Sequence, residues 1–182
     1  MSVAPPWYEI ALEELAASVA ESVTGDHPRI LEYLATLTDL EKGEAERDST
    51  PWCSAFVNWC LIQSGIAGTN SGWARSWAIW GEAIDAPRLG AIAVWARGRQ
   101  SADEPVVTGH VAFVVEDRGD SLLVLGGNQC DSVCIKAYPK FGYLTDTVAS
   151  TSPVRELYEL LGYRWPALAS EAGPNSAPSE LR

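Results

Sequence analysis

The sequence predicts an α+β domain in which N-terminal helices pack on a small antiparallel sheet. Apolar residues recur at helical spacing in the first half of the chain, whereas short β-rich runs follow from residue 90 onward. Helices and strands are therefore separated along the chain rather than alternating, as is typical of α+β folds. A length of 182 residues fits one domain with a sizeable core.

The predicted helices begin at cap or turn residues. Residues 6–20 predict the first helix, and Asp26 is expected to cap a short second one. A third helix is expected to begin at Thr50-Pro51, because Thr is a favoured N-cap and Pro suits the first helical position. Gly65 is the expected terminator of this helix. Another helical stretch is predicted from Trp73 to about Ala83.

The strands of the second half are short and β-rich. They are predicted at residues 90–96, 110–116, 121–125 and 133–138. Residues 97–108 are predicted to form a polar loop, and residues 153–161 a short helix before a closing strand. We expect a catalytic domain over residues 1–166, followed by a disordered tail over 167–182 that is rich in Ala, Ser and Pro.

Charge and hydropathy exclude two classes of partner. The net charge of −11 argues against nucleic acid, because phosphates require a basic surface. No stretch of about 18 apolar residues exists, so no membrane span is predicted. The N-terminus lacks the basic and apolar regions of a signal peptide. We therefore expect synthesis in the cytoplasm, with any export by another route.

Cys53 is the strongest candidate for a chemical role. At the start of the predicted third helix it would lie among unpaired backbone N–H groups, which favour an anion. Such a position lowers the pKa of a thiol and supplies an N–H to an oxyanion. The alternative is a structural role, because cysteine is among the most buried residue types and Cys53 shares a helix face with Phe56 and Cys60.

His110 is the candidate base, since the chain has only two histidines and His27 precedes a proline in a predicted surface turn. Papain-like chemistry requires an imidazole from another part of the chain, and a third group to orient it. Asn128 is the predicted third group, with a turn-forming role as the alternative. Glu116 and Gln129 are the nearest substitutes in sequence.

The register of the hairpin decides which residue faces His110. If Arg118-Gly119-Asp120 form a three-residue loop, His110 lies opposite Asn128. A two-residue loop, Arg118-Gly119, would instead turn Asn128 to the other face of the sheet.

Five segments together resemble the CHAP-like branch of the NlpC/P60 superfamily. They are 50–60 (TPWCSAFVNWC), 74–77 (ARSW), 109–113 (GHVAF), 125–129 (LGGNQ) and 162–166 (GYRWP). Each segment alone is a weak signal, whereas the ordered set is specific and covers roughly residues 7–166.

The resemblance implies a papain-like α+β fold and cleavage of amide bonds in peptidoglycan peptides. By carry-over, Cys53 is the nucleophile, His110 the base and Asn128 the polar third residue. Trp52, Arg75 and Trp77 are the expected substrate-binding residues, and Arg75 would bind a substrate carboxylate. No metal or other cofactor is expected, since potential ligands are not clustered in the sequence.

Family members include lysins and toxins that are injected into rival bacteria. The resemblance therefore leaves open an immunity protein or a delivery carrier as partner, with action on the cell wall or in the periplasm after lysis or secretion-system delivery. An acyltransferase or deamidase on the same fold, or a non-catalytic wall-binding module, are the alternative functions.

Two features depart from the family pattern. Cys130 and Cys134 stand where polar residues are expected, and only a turn at Asp131-Ser132 would let them form a disulfide. Residues 141–161 are expected to be an insertion before the closing strand, which covers one end of the groove or decorates the surface.

Overall fold

The computed structural model describes residues 3–41, 43–99, 106–146 and 154–167. The described helices are α1 (Pro6–Ala16), α2 (Pro28–Leu34) and α3 (Cys53–Gln63), with 3₁₀ helices at Glu44–Glu46 and Ala74–Ile79. The described strands are β1 (Glu82–Ile84), β2 (Ile92–Arg99), β3 (Val106–Asp117), β4 (Ser121–Gly126), β5 (Cys134–Pro139), β6 (Phe141–Asp146) and β7 (Val154–Trp165). The predicted disordered tail lies outside the described residues from position 168 onward.

The strands form one seven-stranded antiparallel sheet in the order β1-β7-β2-β3-β4-β5, with β6 paired to β7. This arrangement confirms the predicted α+β class and its small antiparallel sheet. No helix among the described residues has the length and apolar character needed to cross a bilayer.

The region after β5 differs most from the prediction. Residues 153–161 were expected to form a helix, but residues from Val154 onward belong to β7, which pairs with β1, β2 and β6. Tyr158 on β7 packs into the core, so burial of this side chain outweighs the local helix-start signal of a serine and a proline. The described residues of the expected insertion, 141–146 and 154–161, are therefore part of the sheet.

Four shorter predictions also change. Residues 97–99 and 106–108, which were predicted to lie in a loop, belong to β2 and β3. The predicted helix from Trp73 to Ala83 is a 3₁₀ helix that ends at Ile79, followed by the short strand β1. The helix predicted at 6–20 ends at Ala16. His27, rather than Asp26, caps α2, because its Nδ1 accepts a hydrogen bond from the Arg29 N–H.

The sheet separates two hydrophobic cores. The helix-side core lies between the helices and one face of the sheet, and its buried residues include Tyr33, Phe56, Val111, Phe113 and Leu125. The concave core lies on the opposite face, and its buried residues include Trp95, Ala112, Val114, Tyr138 and Tyr158. Tyr138 of β5 contacts Tyr158 of β7, with ring centroids 5.2 Å apart, across the sheet. The sheet is therefore strongly curved around the concave core.

Candidate active site

Cys53 is the first residue of α3. The N-cap is Trp52 rather than the predicted Thr50, whose hydroxyl donates to the Glu44 carbonyl at 2.7 Å instead. The first helical hydrogen bond runs from the Phe56 N–H to the Trp52 carbonyl at 2.9 Å. The N–H groups of Cys53 and Ser54 therefore precede the helical ladder and are available to an anion.

Buried polar contacts fix the start of α3. The Ser54 hydroxyl donates to the Ser71 carbonyl at 2.6 Å, and the Trp77 indole N–H donates to the same hydroxyl oxygen at 2.8 Å. The Trp52 indole N–H donates to Glu21 at 3.0 Å. Both Trp52 and Trp77 are fully buried, which corrects the expectation that they bind substrate. Their contacts hold the start of α3 in place.

Burial raises the pKa of the Cys53 thiol above its ordinary value. The positive charge of Arg97 and the backbone N–H groups of Val111, Ser54 and Cys53 act in the opposite direction, and burial outweighs them. The expected lowering of the pKa by the helix start is therefore wrong for the free protein, because the thiol is only 8% exposed. The resting side chain is a neutral thiol with anion-stabilising groups around it.

His110 lies on β3 and points into the concave core. Its ring stacks on Tyr138 with centroids 4.6 Å apart and lies beside Trp95, its cross-strand partner. Burial lowers the pKa of His110 to about 4, and the positive charges of Arg97 and Lys136 act in the same direction. The imidazole is therefore neutral near pH 7, which is the protonation state that a general base requires.

The orienting group of His110 is Gln129. The Gln129 Oε1 lies 3.0 Å from the His110 Nε2, and the Gln129 Nε2 donates to the Cys134 carbonyl at 2.6 Å. Because the amide nitrogen is committed to a carbonyl, the amide oxygen faces the imidazole and must accept from it. This pairing places the proton of the neutral ring on Nε2 and leaves Nδ1 as the acceptor.

Asn128 does not make the contact predicted for it. The hairpin loop is Gly119-Asp120, closed by a hydrogen bond of 2.9 Å from the Arg118 N–H to the Ser121 carbonyl. A bulge in β3 between Val114 and Glu116 then restores the register that was predicted for the three-residue loop.

The end of β4 explains why this register does not bring Asn128 to His110. β4 ends at Gly126, and Asn128 takes a left-handed backbone conformation with φ of 54°. The chain therefore turns before the predicted pairing is reached, and the side chain of the next residue, Gln129, contacts His110.

The thiol of Cys53 contacts the backbone of β3 next to His110. The Val111 N–H interacts with the Cys53 thiol, and Val111 directly follows His110. Among the described residues no hydrogen bond joins Cys53 to His110, as is common in active sites without substrate. Direct Cys–His contact stays a prediction.

A cleft of ≈ 180 Å³ opens beside Cys53. Its lining residues are Pro51, Cys53, Gly72, Trp73, Ala74, Arg97, Thr108 and Gly109. Trp73 is 59% exposed and Arg97 is the charged residue of this set, and neither was among the predicted site residues. The sequence signal available for Trp73 was a tryptophan at the start of a predicted helix. Arg97 had no comparable signal, because it fell in a predicted loop.

Arg75 is not among the residues that line the cleft. A Cβ atom added to Gly109 would lie 2.8 Å from the Arg75 Cγ, so the aliphatic part of Arg75 packs against β3. Binding of a substrate carboxylate by Arg75 stays a prediction.

Cys130 and Cys134 are free thiols, as are Cys53 and Cys60. Cys130 and Asp131 both have positive φ angles, and the Gln129 N–H donates to the Ser132 carbonyl at 3.0 Å. The predicted turn between the two cysteines therefore exists. Its role in the structure is to bring the Cys134 carbonyl to the Gln129 amide.

In the comparison with protein families, residues 45–128 match the model of the CHAP domain. This match confirms the CHAP-like resemblance, and it contains both Cys53 and His110. CHAP domains are generally peptidoglycan-cleaving hydrolases. No curated protein matches the chain.

Proposed function

We propose that this protein is a cysteine-dependent hydrolase that cleaves amide bonds in bacterial peptidoglycan. The observation that carries the proposal is the position of Cys53 at the start of α3, on a cleft beside the strand of a neutral, oriented His110. The CHAP match supports peptidoglycan as the substrate class. A helix-start cysteine paired with a strand histidine also favours a papain-like arrangement.

The proposed reaction begins with transfer of the Cys53 proton to Nδ1 of His110. The sulfur then forms a bond to the amide carbon, and the carbonyl oxygen becomes an oxyanion. The backbone N–H of Cys53 is the expected donor to this oxyanion. Collapse of the intermediate breaks the C–N bond, and the imidazolium returns its proton to the leaving amine. Water then hydrolyses the thioester, which regenerates the thiol and releases a carboxylic acid.

The burial of both groups favours a mechanism in which the thiolate and the imidazolium form together. A buried thiol and a buried imidazole each resist ionisation alone, as the raised pKa of Cys53 and the lowered pKa of His110 indicate. Proton transfer between them creates two opposite charges together, which stabilise each other in a low-dielectric site. Gln129 stabilises the imidazolium by accepting a hydrogen bond from its Nε2–H. Arg97 stabilises the thiolate by its positive charge near the sulfur.

The biological setting is proposed on the same basis. Peptidoglycan lies outside the cytoplasm, so the enzyme would act on the cell wall or in the periplasm after lysis or after delivery by a secretion system. Either a lysin or an antibacterial toxin fits this route, and a toxin would require an immunity protein or a carrier.

The test is mass spectrometry of purified peptidoglycan after incubation with the protein, with the Cys53→Ala variant as control. Hydrolysis predicts new amine and carboxyl ends in the peptide part, and these products should be absent with the variant. Products joined to an added amine would indicate acyl transfer, and loss of ammonia without chain cleavage would indicate deamidation. Unchanged peptidoglycan under conditions where the protein is folded would contradict the proposal.

A further inference from the structure

Arg97 is the charged group of the cleft. The other described residues that line the cleft are neutral side chains or glycines. The cleft is therefore a largely apolar groove that contains one cation. The protein as a whole carries a net charge of −11. The positive charge beside Cys53 therefore contrasts with the negative net charge of the protein, which suggests a specific role for Arg97.

The guanidinium of Arg97 is held by partners on its strand neighbours. Its Nε donates to the Thr108 hydroxyl at 2.9 Å, and its Nη1 lies 3.5 Å from a carboxylate oxygen of Glu156. Glu156 itself is buried, with 7% of its side chain exposed, whereas Arg97 retains 34%. The carboxylate thus lies behind the guanidinium and leaves part of the cation facing the cleft.

This geometry suits a second anion on the cleft side. A guanidinium presents five N–H donors in a planar fork, and the contacts with Thr108, Glu156 and the Tyr158 side chain use only part of them. The remaining donors match the two oxygens of a carboxylate, which arginine binds through paired hydrogen bonds. Trp73, also in the lining, offers an exposed apolar surface for the neighbouring part of a ligand.

We infer that Arg97 determines specificity by binding a free carboxylate on the substrate residue that lies next to the scissile carbonyl. The inference rests on the proposed function and names its substrate class: peptides that carry an unamidated carboxylate beside the bond attacked by Cys53. The same cation lies near enough to Cys53 to favour the thiolate, so binding and attack occur in one positively charged groove. Arg75, which is not among the residues that line the cleft, is the competing candidate that the tests below compare with Arg97.

The first test measures the charge preference of the cleft without any turnover. Iodoacetate and iodoacetamide alkylate the same thiolate, but only iodoacetate carries a carboxylate. We compare their rates at Cys53 by peptide mass spectrometry and divide one rate by the other. A change in the pKa of Cys53 alters both rates alike, so the ratio reports the affinity of the groove for a carboxylate.

Arg97→Gln should lower the iodoacetate to iodoacetamide ratio at Cys53 by about fivefold, as expected for loss of one nearby charge of about 1 kcal/mol. Arg75→Gln is the matched control and should leave the ratio unchanged. An unchanged ratio in Arg97→Gln, or a fall in Arg75→Gln alone, would overturn the inference. Arg97→Gln leaves the buried Glu156 without its cation and could unfold the protein. In that case the double variant Arg97→Gln/Glu156→Gln replaces it, and the same decrease in the ratio is expected.

The second test uses paired peptide substrates that differ only in a carboxylate or a carboxamide next to the scissile bond. The protein should prefer the carboxylate form in kcat/KM, and Arg97→Gln should remove the preference while Arg75→Gln retains it. Failure of the protein to cleave either peptide would count against the proposed function, while the alkylation ratio would still decide the role of Arg97. Cleavage of both forms at equal rates would refute the inference alone.

Discussion

The two halves of the candidate site differ in what positions them. Cys53 lies at the start of α3 against the helix-side core, and backbone N–H groups supply most of its polar environment. His110 lies in the concave core, and its contacts are side chains from β2, β5 and the turn after β4. The N–H groups of Cys53 and Ser54 are thus local in sequence, although Arg97 and Val111 of the sheet also act on the thiol. The contacts of His110 all come from distant positions in the chain.

This difference has a mechanistic consequence. A helix start stabilises an anion at Cys53 wherever the helix forms, but His110 works only if Gln129 and the aromatic rings hold one tautomer and one ring orientation. Changes in the sheet should therefore affect the base more than the nucleophile.

The largest effect is expected for His110→Ala, which removes the base. Activity should fall by about 10²–10⁴-fold, the range that general bases contribute. His27→Ala is the matched control, since His27 caps α2 through a hydrogen bond of 3.2 Å from the Arg29 N–H. That variant should lose only stability, by about 1 kcal/mol, and keep its rate. Rates on peptidoglycan and thermal melting curves distinguish the two variants.

The second prediction concerns stability and pH. The pKa of His110 is lowered by burial from 6.5 to about 4, so the unfolded chain binds its proton more readily than the folded protein. Its contribution to stability is complete above pH 6.5 and is lost as the pH falls through 4.

The loss between pH 7 and pH 4 should be about 3 kcal/mol. Urea unfolding of the wild type and of His110→Gln at both pH values isolates this contribution, because glutamine does not titrate. If the two proteins lost equal stability on acidification, His110 would not be buried as a neutral ring.

The third prediction separates Gln129 from Asn128. Gln129→Ala should lower activity by about 10–100-fold, because the ring loses the acceptor of its Nε2 proton. Asn128→Ala should change it by less than about threefold, since its side chain has no described hydrogen bond to His110.

A pH profile tests whether Gln129 acts through His110. Gln129→Glu places a carboxylate on Nε2, which raises the pKa of His110. The acidic limb of kcat/KM, near pH 4 in the wild type, should then move to higher pH. A limb that stays in place would mean that Gln129 is only a packing residue.

The smallest effect is expected within α3 itself. Burial raises the pKa of Cys53 and raises that of Cys60 well above its ordinary value, and the nearby charge is the cation Arg97 for Cys53 but the carboxylate Glu14 for Cys60. Iodoacetamide should therefore modify Cys53 more than about tenfold faster than Cys60 at neutral pH. Exposed Cys130 provides the reference for an unhindered thiol. Equal alkylation rates at Cys53 and Cys60 would contradict the claim that Cys53 is the more reactive thiol of α3.

Local signals in the sequence predicted the elements that depend on local structure. The helix around Cys53, the hairpin of β3 and β4 and the position of His110 on a strand follow from patterns within a few residues. β7 did not, because a serine and a proline before residue 154 resemble a helix start, whereas burial of Tyr158 in the concave core favours a strand.

The strand register alone also did not predict that Gln129 contacts His110. The bulge near Val115 restores the predicted pairing, yet the left-handed backbone at Asn128 passes the contact to Gln129. Trp52 and Trp77 show a similar limit, since a tryptophan near a nucleophile in sequence has the same pattern whether it faces substrate or the core.

The most direct test of the central claim, that Cys53 is the nucleophile, compares two cysteines of the same helix. Purified peptidoglycan is digested with the wild type, Cys53→Ala and Cys60→Ala, and the released peptides are quantified by mass spectrometry. Cys53→Ala should release none, and Cys60→Ala should keep activity because Cys60 lies fully buried two turns along α3. Release of peptides by folded Cys53→Ala at the wild-type rate would contradict the account.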